Sequence, residues 1–205
     1  FGFDGRKYRG EHFREVRDLM GGDYWFEEFK YAIDGVDGRP QEIGVDENAT
    51  SLWAGRSDFA NRIAYDNDGK VGYTGVFGQA EYSKDNLSAF LAGSVSNTWN
   101  TRIDRYNYTD EATQTSETTS ILGYNVKAGA NYNIDEKNNI FFNTGFYSRA
   151  PFFGFLYQNY ANDLSDNVVN EKALAFEGGY GYSGKKVSTK INAYYTQWKD
   201  KTLLS

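Results

Sequence analysis

Residues 121–134, ILGYNVKAGANYNI, alternate without a slip. Leu122, Tyr124, Val126, Ala128, Ala130, Tyr132 and Ile134 share one parity, and Gly123, Asn125, Lys127, Gly129, Asn131 and Asn133 share the other. Successive side chains of a strand point to opposite faces, so the stretch predicts a β-strand with one apolar and one polar face. The same alternation recurs in VGYTGVFGQAEY, LSAFLAGSVSN (with Phe90 as an exception), IFFNTGFYSR, EKALAFEGGYGYS and VSTKINAYYTQW. Six such strands in succession, with a stub at each end, predict an all-β, antiparallel chain.

The connections decide which solvent each face meets. Short turns fall near SKDN (83–86), IDEKNN (134–139) and SGKK (183–186), and long ones near 99–119 and 149–170. Short and long alternate, so antiparallel neighbours would carry all the short turns at one end and all the long loops at the other. That is the layout of an up-and-down transmembrane barrel. Tyr82, Tyr132 and Tyr182 lie on the apolar parity just before the short turns, where an interfacial aromatic girdle would sit. Strands of about 11 residues, tilted near 40°, rise about 27 Å, close to the apolar band of such a barrel. The apolar face is therefore expected to meet outer-membrane lipid. A polar set, Gln79, Glu81, Lys127, Asn131, Asn143, Glu177, Lys190 and Asn192, is expected to line a hydrated lumen.

Composition narrows the alternatives. With 22 Lys+Arg against 28 Asp+Glu the net charge is −6, which argues against a nucleic-acid partner. There is no cysteine, hence no disulfide framework and no thiolate metal site. No apolar run approaches the roughly 18 residues of a spanning helix. The chain opens at Phe1 and trails off at DKTLLS, and is expected to be a piece, some six to eight strands, of a larger wall.

Residues 1–69 read differently from 70–205. FGFDGRKYRG suggests the end of a strand. EHFREVRDLM spaces Phe13, Val16, Leu19 and Met20 as a short amphipathic helix stopped by Gly21 and Gly22. The irregular stretch that follows predicts a long extracellular loop. RIAYDNDGKVGY then either continues as one long strand or folds a hairpin at Asp68-Gly69.

GFYSRAPFFGFLYQNY, the Asn-Glu-Lys step into ALAFEGGYGYSGKKVSTKINAYYTQWKDKT, FGQAEY (77–82) and NIDEKNNIFFN resemble the barrel of TonB-dependent outer-membrane receptors of the Bacteroidetes type. The resemblance covers about 70–205, and DNVVNEKA lacks the proline such receptors usually carry before the Glu-Lys step. It implies a 22-stranded barrel in the bacterial outer membrane, filled by a plug of the same polypeptide. Such a barrel would import an iron chelate, haem, cobalamin or an oligosaccharide with energy delivered through TonB, and a surface lipoprotein lid is a further candidate partner. Two other readings stay open at this point: a small barrel anchoring an adhesin or surface-binding module, and a soluble carbohydrate-binding β-domain.

Chemistry-bearing motifs are few. Gly179, Gly181 and Gly184 spell G-x-G-x-x-G, but phosphate binding needs a helix after it and a strand follows here. DNDG (66–69) lacks the later carboxylates of a calcium loop. His12 is the sole histidine. No enzyme activity, cofactor or metal is expected. Loop aromatics offer stacking surfaces for a sugar or chelate: Trp25, Phe26, Trp53, Trp99, Tyr106, Tyr108, Phe152, Phe153, Tyr157 and Tyr160. Arg149 is a candidate contact to a plug or an anionic ligand, or one half of a structural ion pair.

Overall fold

The computed structural model describes residues 1–28, 41–45, 62–157, 161–166 and 168–201. Its body is a seven-stranded antiparallel sheet in the order β1-β4-β5-β6-β7-β8-β9. These strands are β1 (Gly2–Glu15), β4 (Arg62–Lys84), β5 (Leu87–Asp104), β6 (Thr119–Asn133), β7 (Asn138–Arg149), β8 (Glu171–Ser183) and β9 (Ser188–Lys199). A small antiparallel pair, β2 (Trp25–Glu27) with β3 (Gln41–Ile43), one helical turn, α1 (Glu111–Gln114), and a 3-10 turn at Phe153–Phe155 complete the described elements. Each strand pairs with its sequence neighbour in the sheet, so every connection is a simple reversal.

Three tight connections join β4 to β5, β6 to β7 and β8 to β9, and the strand ends that the long connections join, Glu15 and Arg62, Asp104 and Thr119, Arg149 and Glu171, lie at the opposite end. Asp85 takes a positive φ of 51° in the tightest turn, where a two-residue connection needs it. In the second turn Asp135 accepts from the N–H groups of Lys137 (2.7 Å) and Asn138 (2.8 Å), closing the reversal by its own side chain.

Two expectations are corrected. The helix over 11–20 is absent, because β1 runs unbroken through Glu15 and pairs with β4 from Gly2↔Phe77 to Glu15↔Arg62. A turn and a half of isolated helix is below the length at which helices hold in water, whereas the ladder offers each residue a partner. The helix-like spacing has another use: Val16 and Leu19 pack with Ile43 and Ile63 in a small core beyond the sheet. Trp99 lies inside β5 rather than in a loop, since β5 continues to Asp104. The open alternative at 62–73 resolves as one strand of 23 residues, with Ala64 at φ 62° where the β1 register shifts.

Paired residues share a face, so the registers sort the sheet completely. One face carries Val76, Leu91, Val95, Leu122, Val126, Phe142, Phe176 and Ile191, all substantially exposed. No second layer of described elements covers it. Buried apolar side chains, among them Ile103, Tyr106, Leu156 and Tyr157, sit instead at the long-loop end. The apolar face spans six strands and ten residue steps, a footprint on the order of 900 Å², beyond the ~300–600 Å² patches of soluble monomers.

The turn end is oblique. One hydrogen-bonded row joins Lys84, Leu87, Tyr132, Ile140, Tyr180 and Ile191. Tyr82 lies two residues to one side of that row, Tyr132 on it, and Tyr182 two residues to the other side. A shift of about one residue per strand, at ~3.3 Å against ~4.8 Å, inclines this line by about 35°, the tilt of strands in a barrel. Measured along lines so inclined, the three tyrosines stand at one level.

Candidate functional site

The opposite face is polar, and the eight residues expected to line a lumen all lie on it. Their contacts run mostly across neighbouring strands. Asn192 donates to Glu177 Oε1 at 3.0 Å, and Asn139 donates to Asn131 Oδ1 at 2.6 Å. Gln79 donates to Glu81 at 2.6 Å. Lys127 stands over the Tyr147 ring at 5.4 Å and Lys190 over Phe141 at 4.8 Å. Hollows open on this face, among them two that share Asn143 and Glu177 in their linings. One of about 410 Å³ is lined by Lys127, Asn143, Tyr147, Glu177 and Tyr194. The other, of about 750 Å³, is lined by Gln79, Glu81, Asn131, Asn143, Glu177 and Lys190. Such a wall offers hydrogen bonds of both senses and little net charge.

Phe90, the break in the alternation, belongs to this face for a packing reason. It is the direct partner of Gly129, and a side chain there would collide with its ring. Phe77 opposite Gly2 and Phe141 opposite Gly179 repeat the arrangement. Each phenylalanine lies flat over a missing side chain, which covers apolar ring surface on an otherwise polar face. Gly181 likewise receives Asn139, so Gly179 and Gly181 of the G-x-G-x-x-G string are strand positions taken up by neighbouring side chains, and Gly184 lies in the turn that follows.

At the long-loop end Phe153 and Ala161 of the last long connection reach the polar face, while Arg105 of the middle one turns to Asp68 on the parity of the apolar face. The Phe153 ring covers Gly69, and Arg102 donates to the Ala161 carbonyl at 3.0 Å. Ser116 donates to the Tyr157 hydroxyl at 3.2 Å, and the Phe153 and Tyr157 rings lie 5.1 Å apart. Asp104 collects Arg102 (2.8 Å) and the N–H groups of Tyr106 and Asn107 (both 3.0 Å). Asp68, fully buried, receives Arg9 at 2.7 Å and Arg105 at 2.9 Å. Glu27 is a third hub: Tyr106 donates to it at 2.6 Å, Ala64 N–H at 3.1 Å and the Trp25 indole at 3.3 Å. Burial and the neighbouring Glu27 carboxylate push the Tyr106 hydroxyl well above its usual range, and burial raises that of Tyr157.

The expected recognition residues therefore divide. Tyr106, Tyr108 and Tyr157 are buried and their hydroxyls are used within the loops, Tyr108 accepting from Asn162 N–H at 3.1 Å. They shape the cap rather than offer a free ring. Trp25, Phe26 and Phe152 are exposed, while Phe153 is half-buried. Arg149 pairs with Glu171 at 2.6 Å and stacks on Phe152 at 4.9 Å, with its side chain still largely exposed. Trp53 and Tyr160 lie outside the described residues. Among the described residues no His, Cys, Asp or Glu side chains group as a metal site. The hubs at Glu27 and Asp68 escaped sequence reading because Glu27 meets a partner 79 residues away and Asp68 one 59 residues away. No protein family, curated protein or solved structure matches the chain.

Proposed function

We propose that the seven strands are an arc of a transmembrane β-barrel in a bacterial outer membrane, and that the whole is a TonB-dependent nutrient receptor. The observation that carries the membrane assignment is the broad exposed apolar face with no layer packed on it. Its height agrees: from Leu122 to Tyr132 on β6, ten steps inclined by about 35° rise about 27 Å, close to the ~25 Å apolar band of outer-membrane barrels. The odd strand count supports continuation into a larger barrel. β1 and β9 run in the same direction, so closing the sheet on itself would join parallel strands. Left open, both edges would place unpaired N–H and C=O groups in lipid.

The receptor reading rests on the resemblance of residues 70–205 and on the reach of the last long connection to the polar face. In it, the polar wall faces a hydrated lumen and the plug of the same polypeptide, and Trp25, Phe26 and Phe152 stand at the mouth. The cargo is an iron chelate, haem, cobalamin or an oligosaccharide, moved by energy delivered through TonB. Substituting Val126 and Ala128, near the middle of the band, by lysine tests the assignment, since each cation there costs about 2–4 kcal/mol. The double variant is expected to lose co-flotation with phosphatidylcholine vesicles, while Asn125→Lys on the polar face keeps it. Equal co-flotation of both would refute the lipid-facing assignment.

A further inference from the structure

Just beyond the apolar band, on the same face and toward the long loops, cations stand directly opposite cations. Lys70 of β4 is the Cα partner of Arg9 of β1, and Lys172 of β8 is the partner of Lys199 of β9. Lys7 lies two residues from Arg9 on the same face. Like charges in direct cross-strand register destabilise a sheet unless an anion lies between or beside them. Arg9 is satisfied by Asp68 and Glu11, and Lys172 meets Asp200 at 3.0 Å in an exposed pair. Among the described residues, Lys7, Lys70 and Lys199 have no carboxylate partner and are exposed. Lysines on edge strands can serve to block unwanted pairing. Lys70 and Lys172 sit on inner strands, where that role is void.

Levels decide what the anion is. Along lines inclined as the tyrosine line is, these five cations fall within about 5 Å of one height, although they come from both flanks of the sheet. That height is about 28 Å from Tyr82, Tyr132 and Tyr182, close to the ~30 Å thickness of a hydrocarbon core. A lysine at such a boundary lays its stem along apolar surface and holds its ammonium in the headgroup layer.

We propose that Lys7, Lys70, Lys172 and Lys199, with Arg9, form a belt that binds the phosphate of lipid headgroups in the leaflet on the long-loop side. This rests on the lipid-facing reading above and names the lipid chemistry that the wall selects. The test extracts the chain from vesicles of phosphatidylcholine mixed with phosphatidic acid and counts the retained lipids by native mass spectrometry. Phosphatidic acid is expected to be enriched over its bulk share. Replacing all four lysines by glutamine is expected to remove the enrichment, about fivefold for each cation lost. Replacing them by arginine keeps it, as does glutamine at Lys84 and Lys137 of the turn end. Enrichment that survives the four glutamines overturns the belt, and displacement of the lipid by inorganic phosphate reassigns it to free phosphate. Wild-type chain that fails to co-float with pure phosphatidylcholine vesicles defeats the lipid-facing reading itself. Chain that co-floats without enrichment defeats the belt alone.

Discussion

Gly129→Ala isolates the packing of the polar wall. A methyl group there would overlap the Phe90 ring and the Asn143 amide oxygen. The amide can swing aside, but the ring is laid across the glycine and must rotate away. Overpacking of this kind costs about 1–3 kcal/mol. Against it stands the smaller entropy of an unfolded alanine, worth about 0.4–1 kcal/mol. The net expectation is destabilisation by roughly 0.5–2 kcal/mol. Gly93→Ala is the control, because its added carbon would meet nothing closer than the Asn125 carbonyl at 3.4 Å. That variant keeps only the entropic gain. The assay is urea unfolding of vesicle-reconstituted protein, followed by tryptophan fluorescence. In a Phe90→Ala background the ring is gone, so Gly129→Ala becomes neutral or stabilising, and the cycle yields a coupling of about 1–3 kcal/mol. Identical behaviour of Gly129→Ala and Gly93→Ala, or a coupling near zero, would refute the ring-over-glycine account.

Two further outcomes follow from the ends of the sheet. Tyr106→Phe leaves the buried Glu27 carboxylate short of one of its three donors, and a hydrogen bond to a charged group contributes about 1.5–3 kcal/mol. Faster hydrogen exchange of the Ala64 amide, which Glu27 also holds, is the readout. At the opposite end, Lys137 N–H and then the Asn138 side chain hold the Asp135 carboxyl below its usual range. A depressed folded-state pKa gives stability that is complete above the unfolded value of about 3.9 and is lost as pH falls through the lower folded value. Exchange at Asn138, corrected for intrinsic rates, is expected to rise on acidification in the wild type and to be independent of that titration in Asp135→Asn.

What could be read in the chain was what repeats locally. Strands β6 to β9 follow from alternation alone, because each of their residues has a fixed face and short turns pin the registers. That Tyr82, Tyr132 and Tyr182 share the apolar face was also legible, since it needs only parity. β1 was legible only in part: FGFDGRKYRG reads as the end of a strand, but Gly2–Glu15 gives no apolar alternation, and Val16 and Leu19, spaced from Phe13 as on a helix, serve a core outside the sheet. Nor was the burial of Tyr106, Tyr108 and Tyr157 visible, because the groups that hold them come from Glu27, Asn162 and Ser116, far away in sequence. Phe90 looked like noise until Gly129 was placed opposite it.

The central claim is that the apolar face meets lipid, and a single-cysteine scan of β6 tests it most directly. The chain contains no cysteine, so each position from Leu122 to Asn133 can carry one spin label without background. Collision with oxygen, which partitions into lipid, and with a charged nickel chelate, which stays in water, is then measured in reconstituted vesicles. The account predicts a period of two: Leu122, Tyr124, Val126, Ala128, Ala130 and Tyr132 favour oxygen, with the contrast greatest near Val126 and Ala128, and the intervening positions favour the chelate. Even-numbered positions open to the chelate, or shielded from both reagents, would contradict it.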